Sequence, residues 1–596
     1  MKGCIMEKFI YKSDIYTAEL SLCGIKIIEK GDELAELLPS TRVLSVAVAE
    51  EDILDARGNV KVQRGDYYDV DDEDERILSF EARSDTEFVW EAESSLWRKT
   101  YTAVCDPEGI TYSVTVHGKG NIGVVQYFRT SEKGSLYDFC EYYFPCPPSQ
   151  AELKMRRSSV EEFLSFFELM IPPAYVYSFR TEEHEGRFGM GLIAEPGEYN
   201  FMHFDYRICS NGKGVTCFYF QTDLEGHTNV DGSFTLPKIR TFFAEDDMAV
   251  IKSYCRYHYD NGLANKKLRR DEDIPRWWRG PIVCGWNEQY VQQNKFYPDV
   301  AQKDLATQEI YTKIADMIRD YDIPATMLII DDKWQKGYGD ATPDPKKWPD
   351  MRGFVDEMHS RGLRVILWFR MWGGEGLPED EVMYGEGMPY NNRRVRLDYP
   401  PYCDPTNPLY EAHLREMIYR LLSPDEGCMN ADGFKLDYTL VQPYGETAKS
   451  KSGKYGAEAT KMLYNIIYDA AKAAKPDALI NGSPCHPYFD EVCDMARVHD
   501  YGWGFRNETE SMKERASLFE AVMDGVLIDT DSVNFACRND AMRYYRNQPK
   551  IGVPDIYQFS NSEMIEFSKD DWNEIRAIFK KYAQETDEKY GPVEKA

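Results

Sequence analysis

Four places in the second half of this sequence gather carboxylates beside cations or tryptophans. They are Asp331-Asp332-Lys333-Trp334, Lys435-Leu436-Asp437, Arg497-Val498-His499-Asp500 and Asp529-Thr530-Asp531. Each closes a short apolar run. Two carboxyl groups suffice to cleave a glycosidic bond, one ionised as nucleophile or base and the other protonated as acid. Asp437 is the candidate nucleophile. Lys435, two residues earlier, faces the same side of a strand, and its ammonium would hold Asp437 ionised by Coulomb attraction. Asp500 is the candidate general acid/base, its pKa raised by the like charge of Asp437. Asp494 is its rival but precedes the strand, and Asp490 and Glu491 read as loop residues.

The other members suit a sugar ligand. Asp331 and Asp332 would accept hydrogen bonds from hydroxyls, or serve a loop or helix cap. Trp286, Trp334 and Trp368 would stack on a pyranose face, or simply pack the core. Lys435 and Arg497 would neutralise the carboxylates and bind hydroxyls. Asp529 and Asp531 would contact the ligand or serve the fold. Two other chemistries compete. Lys435 as a Schiff-base lysine would have to be neutral in an apolar pocket, which Asp437 opposes. Asp529 and Asp531 as Mg²⁺ ligands would lack a phosphate-binding glycine loop to accompany the ion.

These residues need elements that bring them together. Apolar runs cover 281–286, 325–332, 363–369, 433–438, 478–483, 495–500, 526–531 and 554–560. Helix-like stretches at 304–321, 409–422, 455–474, 508–523 and 540–546 alternate with them. Buried strands alternating with helices mean parallel βαβ units. Eight runs in about 280 residues fit a (β/α)₈ barrel, whose active site lies at the C-terminal strand ends. A doubly wound sheet is the runner-up, weakened because no Gly-x-Gly-x-x-Gly follows a strand.

Before residue 247 the pattern is alternating and turn-rich, as in Ile110, Tyr112, Val114 and Val116, which predicts a β-sandwich. The acidic stretch 66–75 reads as a solvated loop. The predicted organisation is therefore an N-terminal β-sandwich (1–247), a helical and charged linker (248–273) and a barrel (274–596).

Composition narrows the function classes. The 596 residues carry 71 Lys plus Arg against 101 Asp plus Glu, a net charge of −30 that disfavours nucleic acid. Aromatics make up 14%, a surplus that suits flat, amphipathic ligands. The 14 cysteines form no Cys-x-x-Cys pair and the 9 histidines no His-Glu-x-x-His, so neither a metal nor a cofactor is expected. No apolar run of about 18 residues predicts a membrane span, and no secretory leader is visible at the start. Free thiols and a cytoplasmic location are the expectation. The N-terminal domain would shape the site or drive homo-oligomerisation.

The motif set resembles the α-galactosidase clan of glycoside hydrolases, particularly family 36, the melibiase and raffinose-synthase group, over roughly residues 240–560. Asp331-Asp332-Lys333-Trp334 is similar to the clan's Asp-Asp-x-Trp. Lys347-Trp348-Pro349-Asp350 and His359 to Arg364 resemble the stretch that follows it. Lys435-Leu436-Asp437 resembles the nucleophile's Lys-x-Asp, and Arg497-Val498-His499-Asp500 the Arg-x-Ser-Asp of the acid/base. The resemblance implies a retaining α-glycosidase, with α-galactosides as substrates and no cofactor. Asp331 and Asp332 would then hold the 4- and 6-hydroxyls of the sugar. Transfer to another sugar, as in raffinose synthases, belongs to the same class. The sequence departs from the family at Lys333, at His499 and at Trp368-Phe369-Arg370, and no C-terminal β-domain is expected. A non-catalytic carbohydrate-binding barrel is the alternative from another class.

Overall fold

The computed structural model describes residues 8–130, 134–135, 141–143, 154–156, 172–181, 186–210, 216–385, 401–439, 441–498, 508–531 and 537–594. Its N-terminal part is sheet-rich, as expected. A 4-stranded antiparallel sheet (Lys8–Lys12, Thr17–Ser21, Gly24–Glu29, Asp32–Leu37) lies against a 13-stranded sheet. Alternation decides which faces meet: the buried positions of Arg98–Asp106 and Gly109–Tyr127 fall on every second residue. Aromatic rings join the two sheets, with Phe9 against Phe80 and Phe88, and Tyr16 stacked on Phe243 at 4.9 Å.

Two expectations for this part are corrected. The acidic stretch is not simply a solvated loop. Tyr67–Val70 is a strand, and Asp72 and Glu75 turn inward onto the fully buried Lys99 ammonium, with Asp72 at 2.5 Å. The strands exclude water around Lys99, so the charge requires carboxylate partners. Among the cysteines, Cys217 is disulfide-bonded rather than free. Its strand neighbour across the ladder is Cys209.

The second part is a near-closed parallel barrel. Its strands are β1 (Ile282–Cys284), β2 (Met327–Ile330), β3 (Arg364–Arg370), β4 (Gly433–Asp437), β5 (Leu479–Gly482), β6 (Met495–Arg497), β7 (Leu527–Asp529) and β8 (Asp555–Ile556). Parallel pairing runs in sequence from β1 to β7, and β8 pairs with β1. A bridge between Asp529 and Val553 brings the remaining edges together. The strands are buried on both faces, hence their unbroken apolar runs. Helices Gln308–Asp320, Met351–Ser360, Pro408–Leu422, Gly456–Ala474, Glu508–Val522 and Arg538–Ile551 lie between them. Between β5 and β6 the described connection is the short turn of helix Pro487–Val492.

The helix and charged segment between the two parts are tied to residues on either side. Helix α1 (Asp247–Asp260) is capped by Asp246 and carries Tyr254, whose hydroxyl donates to the Leu192 carbonyl at 2.8 Å and meets His486 at 2.9 Å. Lys267 pairs with Asp494 and Arg269 with Asp490, each at 2.6 Å. A second joint lies after β4. There the Tyr444 hydroxyl donates to Asp223, and the Gly445 amide to Glu225. The N-terminal part thereby braces the loop that leaves the candidate nucleophile. Among the described residues no helix is long and apolar enough to cross a membrane.

Candidate active site

The site is assembled by strand period. Side chains two apart on a barrel strand share the inner face, so Lys435 and Asp437 project together from β4, and Trp368 and Arg370 from β3. The ladder places Trp368 opposite Lys435 and Arg370 opposite Asp437. Two close backbone approaches set this register. Gly433 has φ +150°, and a Cβ there would fall 2.2 Å from the Leu479 carbonyl oxygen. Gly285, after β1, leaves its side-chain space to the Tyr311 hydroxyl, which accepts the Asp331 amide at 2.7 Å.

Asp437 keeps 18% of its side chain exposed, while that of Lys435 keeps 4%. The nucleophile candidate is thus reachable from the rim and the lysine is not. The Trp368 indole donates to Asp437 Oδ2 at 3.0 Å, and Arg497 approaches the same oxygen at 3.7 Å. The expected partner, Lys435, reaches instead to Asp331 at 2.8 Å and Asp531 at 3.5 Å. The reason is reach: a long ammonium extends across the barrel rather than back along its own strand. Burial alone would depress the Lys435 pKa, but Asp331 and Asp531 hold it well above the ordinary value. A charged Lys435 does not serve as a Schiff-base lysine.

Beneath the rim lies a layer of buried charge. Arg497 bonds Asp531 at 2.8 Å, and Asp529 accepts the Asn481 amide at 2.6 Å. Asp529 and Asp531 are fully buried. Asp531 meets Arg497 and Lys435, and Asp529 meets Asn481. Burial and the charge of Asp531 push the Asp529 carboxyl above the usual carboxylate range. Asp332 is nearer the rim and accepts the Tyr338 hydroxyl at 3.2 Å. Burial, with the Asp331 charge adding to it, pushes its pKa up to about 7. Such a carboxyl can donate as well as accept a hydrogen bond near neutrality.

The tryptophans divide. Trp334 is fully buried and its indole donates to the Trp368 carbonyl at 2.8 Å, so it props β3 from behind and presents no face to a ligand. Trp368 is also buried, its N–H spent on Asp437. Trp286 starts a helix directly after β1 and is half-buried against the barrel interior. Asp500 lies outside the described residues.

Sequence reading missed Asp555, Tyr557, Tyr338 and the role of Cys284. Asp555 and Tyr557 alternate on β8 just as Lys435 and Asp437 do on β4, and that period was the available signal. Tyr557 receives a hydrogen bond from Lys435 at 3.3 Å, and Cys284 donates to Asp331 at 3.1 Å. Asp494, the rival acid, sits at the opposite end of the barrel between Lys267 and Lys472. Among the described residues no cluster of His, Cys, Asp and Glu has the arrangement of a metal site.

Residues 274–549 match the family model of the glycosyl hydrolases family 31 TIM-barrel domain. An α-xylosidase of Lactiplantibacillus pentosus is 23% identical over 179 residues, which are 27% of this chain and 23% of that protein's length. A family 31 sulfoquinovosidase from E. rectale superposes with a TM-score of 0.55 at 11% identity, over 98% of this chain and 86% of that one. The α-galactosidase of Thermus thermophilus gives 0.50 at 13% identity, over 80% and 99% respectively. A cycloalternan-degrading enzyme from Trueperella pyogenes gives 0.51 at 11%, over 97% and 82%. At these identities the structures show a shared fold. The comparisons together support a glycoside hydrolase barrel of the clan that the sequence motifs resemble, and the family model that matches is that of family 31 rather than family 36.

Proposed function

We propose that this chain is a retaining α-glycosidase in which Asp437 attacks the anomeric carbon and Asp500 protonates the leaving oxygen. Asp500 then takes a proton from water, which releases the sugar from Asp437. The observation that carries the reading is Asp437 itself. It ends β4 at the C-terminal rim, partly exposed, with an indole N–H and a guanidinium on the same oxygen. Both donors favour the ionised form that a nucleophile requires. Asp331 is tied to Lys435, which leaves Asp332 and Tyr338 as the rim groups for sugar hydroxyls. Trp286 is the candidate wall. The substrate class is an α-linked glycoside, with α-galactosides the choice favoured by the sequence motifs. An α-xyloside is the second choice, from the identity shared with the α-xylosidase.

The test is a panel of p-nitrophenyl α-glycosides covering galactose, xylose, glucose, N-acetylgalactosamine and rhamnose. At least one should be turned over, Asp437→Ala should abolish that turnover, and added azide should yield a glycosyl azide. Full activity in Asp437→Ala would sink the assignment. With Asp500→Ala, substrates with very acidic leaving groups should lose far less than the others, and equal losses would remove Asp500 from the acid role.

A further inference from the structure

Asp555 opens β8, and its backbone is clamped. Its N–H donates to the Gln548 side-chain oxygen at 2.9 Å, and its carbonyl accepts the Gln548 amide at 3.1 Å. Pairing with Ile282 on one side and the Asp529–Val553 bridge on the other fix the side chain on the inner face, level with Asp531. The residue is 1% exposed. Neither carboxyl oxygen makes a full hydrogen bond among the described residues, and the Cys284 amide is only a weak influence.

Among the described residues, the charge around it does not balance. Lys435 and Arg497 are the cations that meet these carboxylates there, and they already serve Asp331, Asp437 and Asp531. Asp529 and Asp555 add two further carboxyl groups. An unpaired carboxylate in so buried a place is strongly unfavourable, and like charges forbid ionising all five. The other titratable groups that face Asp555 are Cys284, Tyr544, Tyr545 and Tyr557, all buried. Burial pushes each of their pKa values up, so none supplies charge near neutrality.

We propose that Asp555 is a positioning residue that keeps one proton in the buried charged layer beneath the rim, so that Lys435 stays on Asp331 and Arg497 stays between Asp531 and Asp437. The mechanistic half of this inference rests on Asp437 being the nucleophile. The Arg497–Asp437 approach at 3.7 Å is looser than the Arg497–Asp531 pair at 2.8 Å. A further carboxylate charge below would draw both cations downward, and Asp437 would lose its guanidinium first. Burial and the charges of Asp529 and Asp531 act in the same direction, raising the Asp555 carboxyl well above the usual range.

Difference infrared spectroscopy tests the proton without any turnover. The full-length protein at pH 7 minus Asp555→Asn should show the carbonyl stretch of a protonated carboxyl group, and in the wild type alone that band should disappear on alkaline titration. No such difference band would overturn the proposal. The positioning half is read from kcat against pH, with an aryl α-glycoside whose leaving group is too acidic to need Asp500. Asp555→Asn should carry activity further into the alkaline range, with kcat about tenfold above wild type one pH unit beyond the wild-type limb. Superimposable profiles would leave Asp555 a structural acid only. Absence of glycoside turnover would remove the glycosidase reading, while the infrared band would still decide where the proton sits.

Discussion

The two ends of the barrel hold buried carboxylates in opposite electrostatic states. At the N-terminal ends of the strands, Asp432 accepts His359 at 2.7 Å, Lys475 at 3.0 Å and the Val365 amide at 2.7 Å. Asp494 sits between Lys267 and Lys472 and accepts the Ile480 amide. Burial alone would raise both, yet these partners hold both carboxyls below the ordinary value. Toward the C-terminal ends, Asp332, Asp529 and Asp555 are all raised, each by burial with the charge of a neighbouring carboxylate adding to it. A carboxylate surrounded by cations is fixed and serves the fold. A carboxyl group short of cations keeps a proton available near neutrality, which is how acid–base sites are built. The candidate chemistry and the fold-stabilising pairs thus occupy opposite faces of one barrel, as its architecture favours.

The sharpest way to break this contrast is a matched pair of variants. Asp437→Ala should cost about 10⁴-fold or more in kcat, while its stability stays within about 1 kcal/mol of wild type. Asp494→Ala should do the reverse. It strands two half-buried lysines and the buried Ile480 amide and should lose about 2–4 kcal/mol in urea unfolding, with kcat per folded molecule kept. Equal stability losses from both would dissolve the distinction.

The pH dependence of unfolding comes next. Asp432 and Asp494 have lowered pKa values, so their contribution is present above pH 3.8 and is lost as pH falls through the folded values. Asp332 runs the other way. Its pKa rises from 3.8 to about 7, so its contribution is full below pH 3.8 and is lost as pH rises through 7. Asp332→Asn should therefore stabilise the protein at pH 8 by about 1–3 kcal/mol and change little at pH 4. A gain at pH 4 instead would contradict the assigned direction. The smallest effect sets the baseline. Lys313 and Glu309 form an exposed i,i+4 pair at 2.7 Å, and Lys313→Gln should cost no more than about 0.5 kcal/mol at either pH.

Much of this was legible in the chain itself. The apolar runs marked all eight barrel strands because a parallel strand is buried on both faces and cannot alternate. Reading the last residues of each run then placed Asp331, Lys435, Asp437, Arg497 and Asp529 at one rim. Period two also marked the alternating strands of the N-terminal part. The acidic stretch was misread because composition cannot see Lys99, which lies 24 residues beyond Glu75 in sequence and touches it only in the folded sheet. The partners of the charged segment at 265–273 were hidden for the same reason, since Lys267 and Arg269 meet Asp494 and Asp490 only in the folded chain.

Residue order and side-chain period therefore determined which groups stand on the inner face of each strand and at which end. Partnership was decided only by the tertiary structure. Lys435 chose Asp331 over Asp437, Trp334 turned its ring to the core, and Asp555 entered the charged layer from β8. Sequence spacing fixes direction along one strand, whereas ion pairs and desolvation depend on distances across the barrel that closure alone creates.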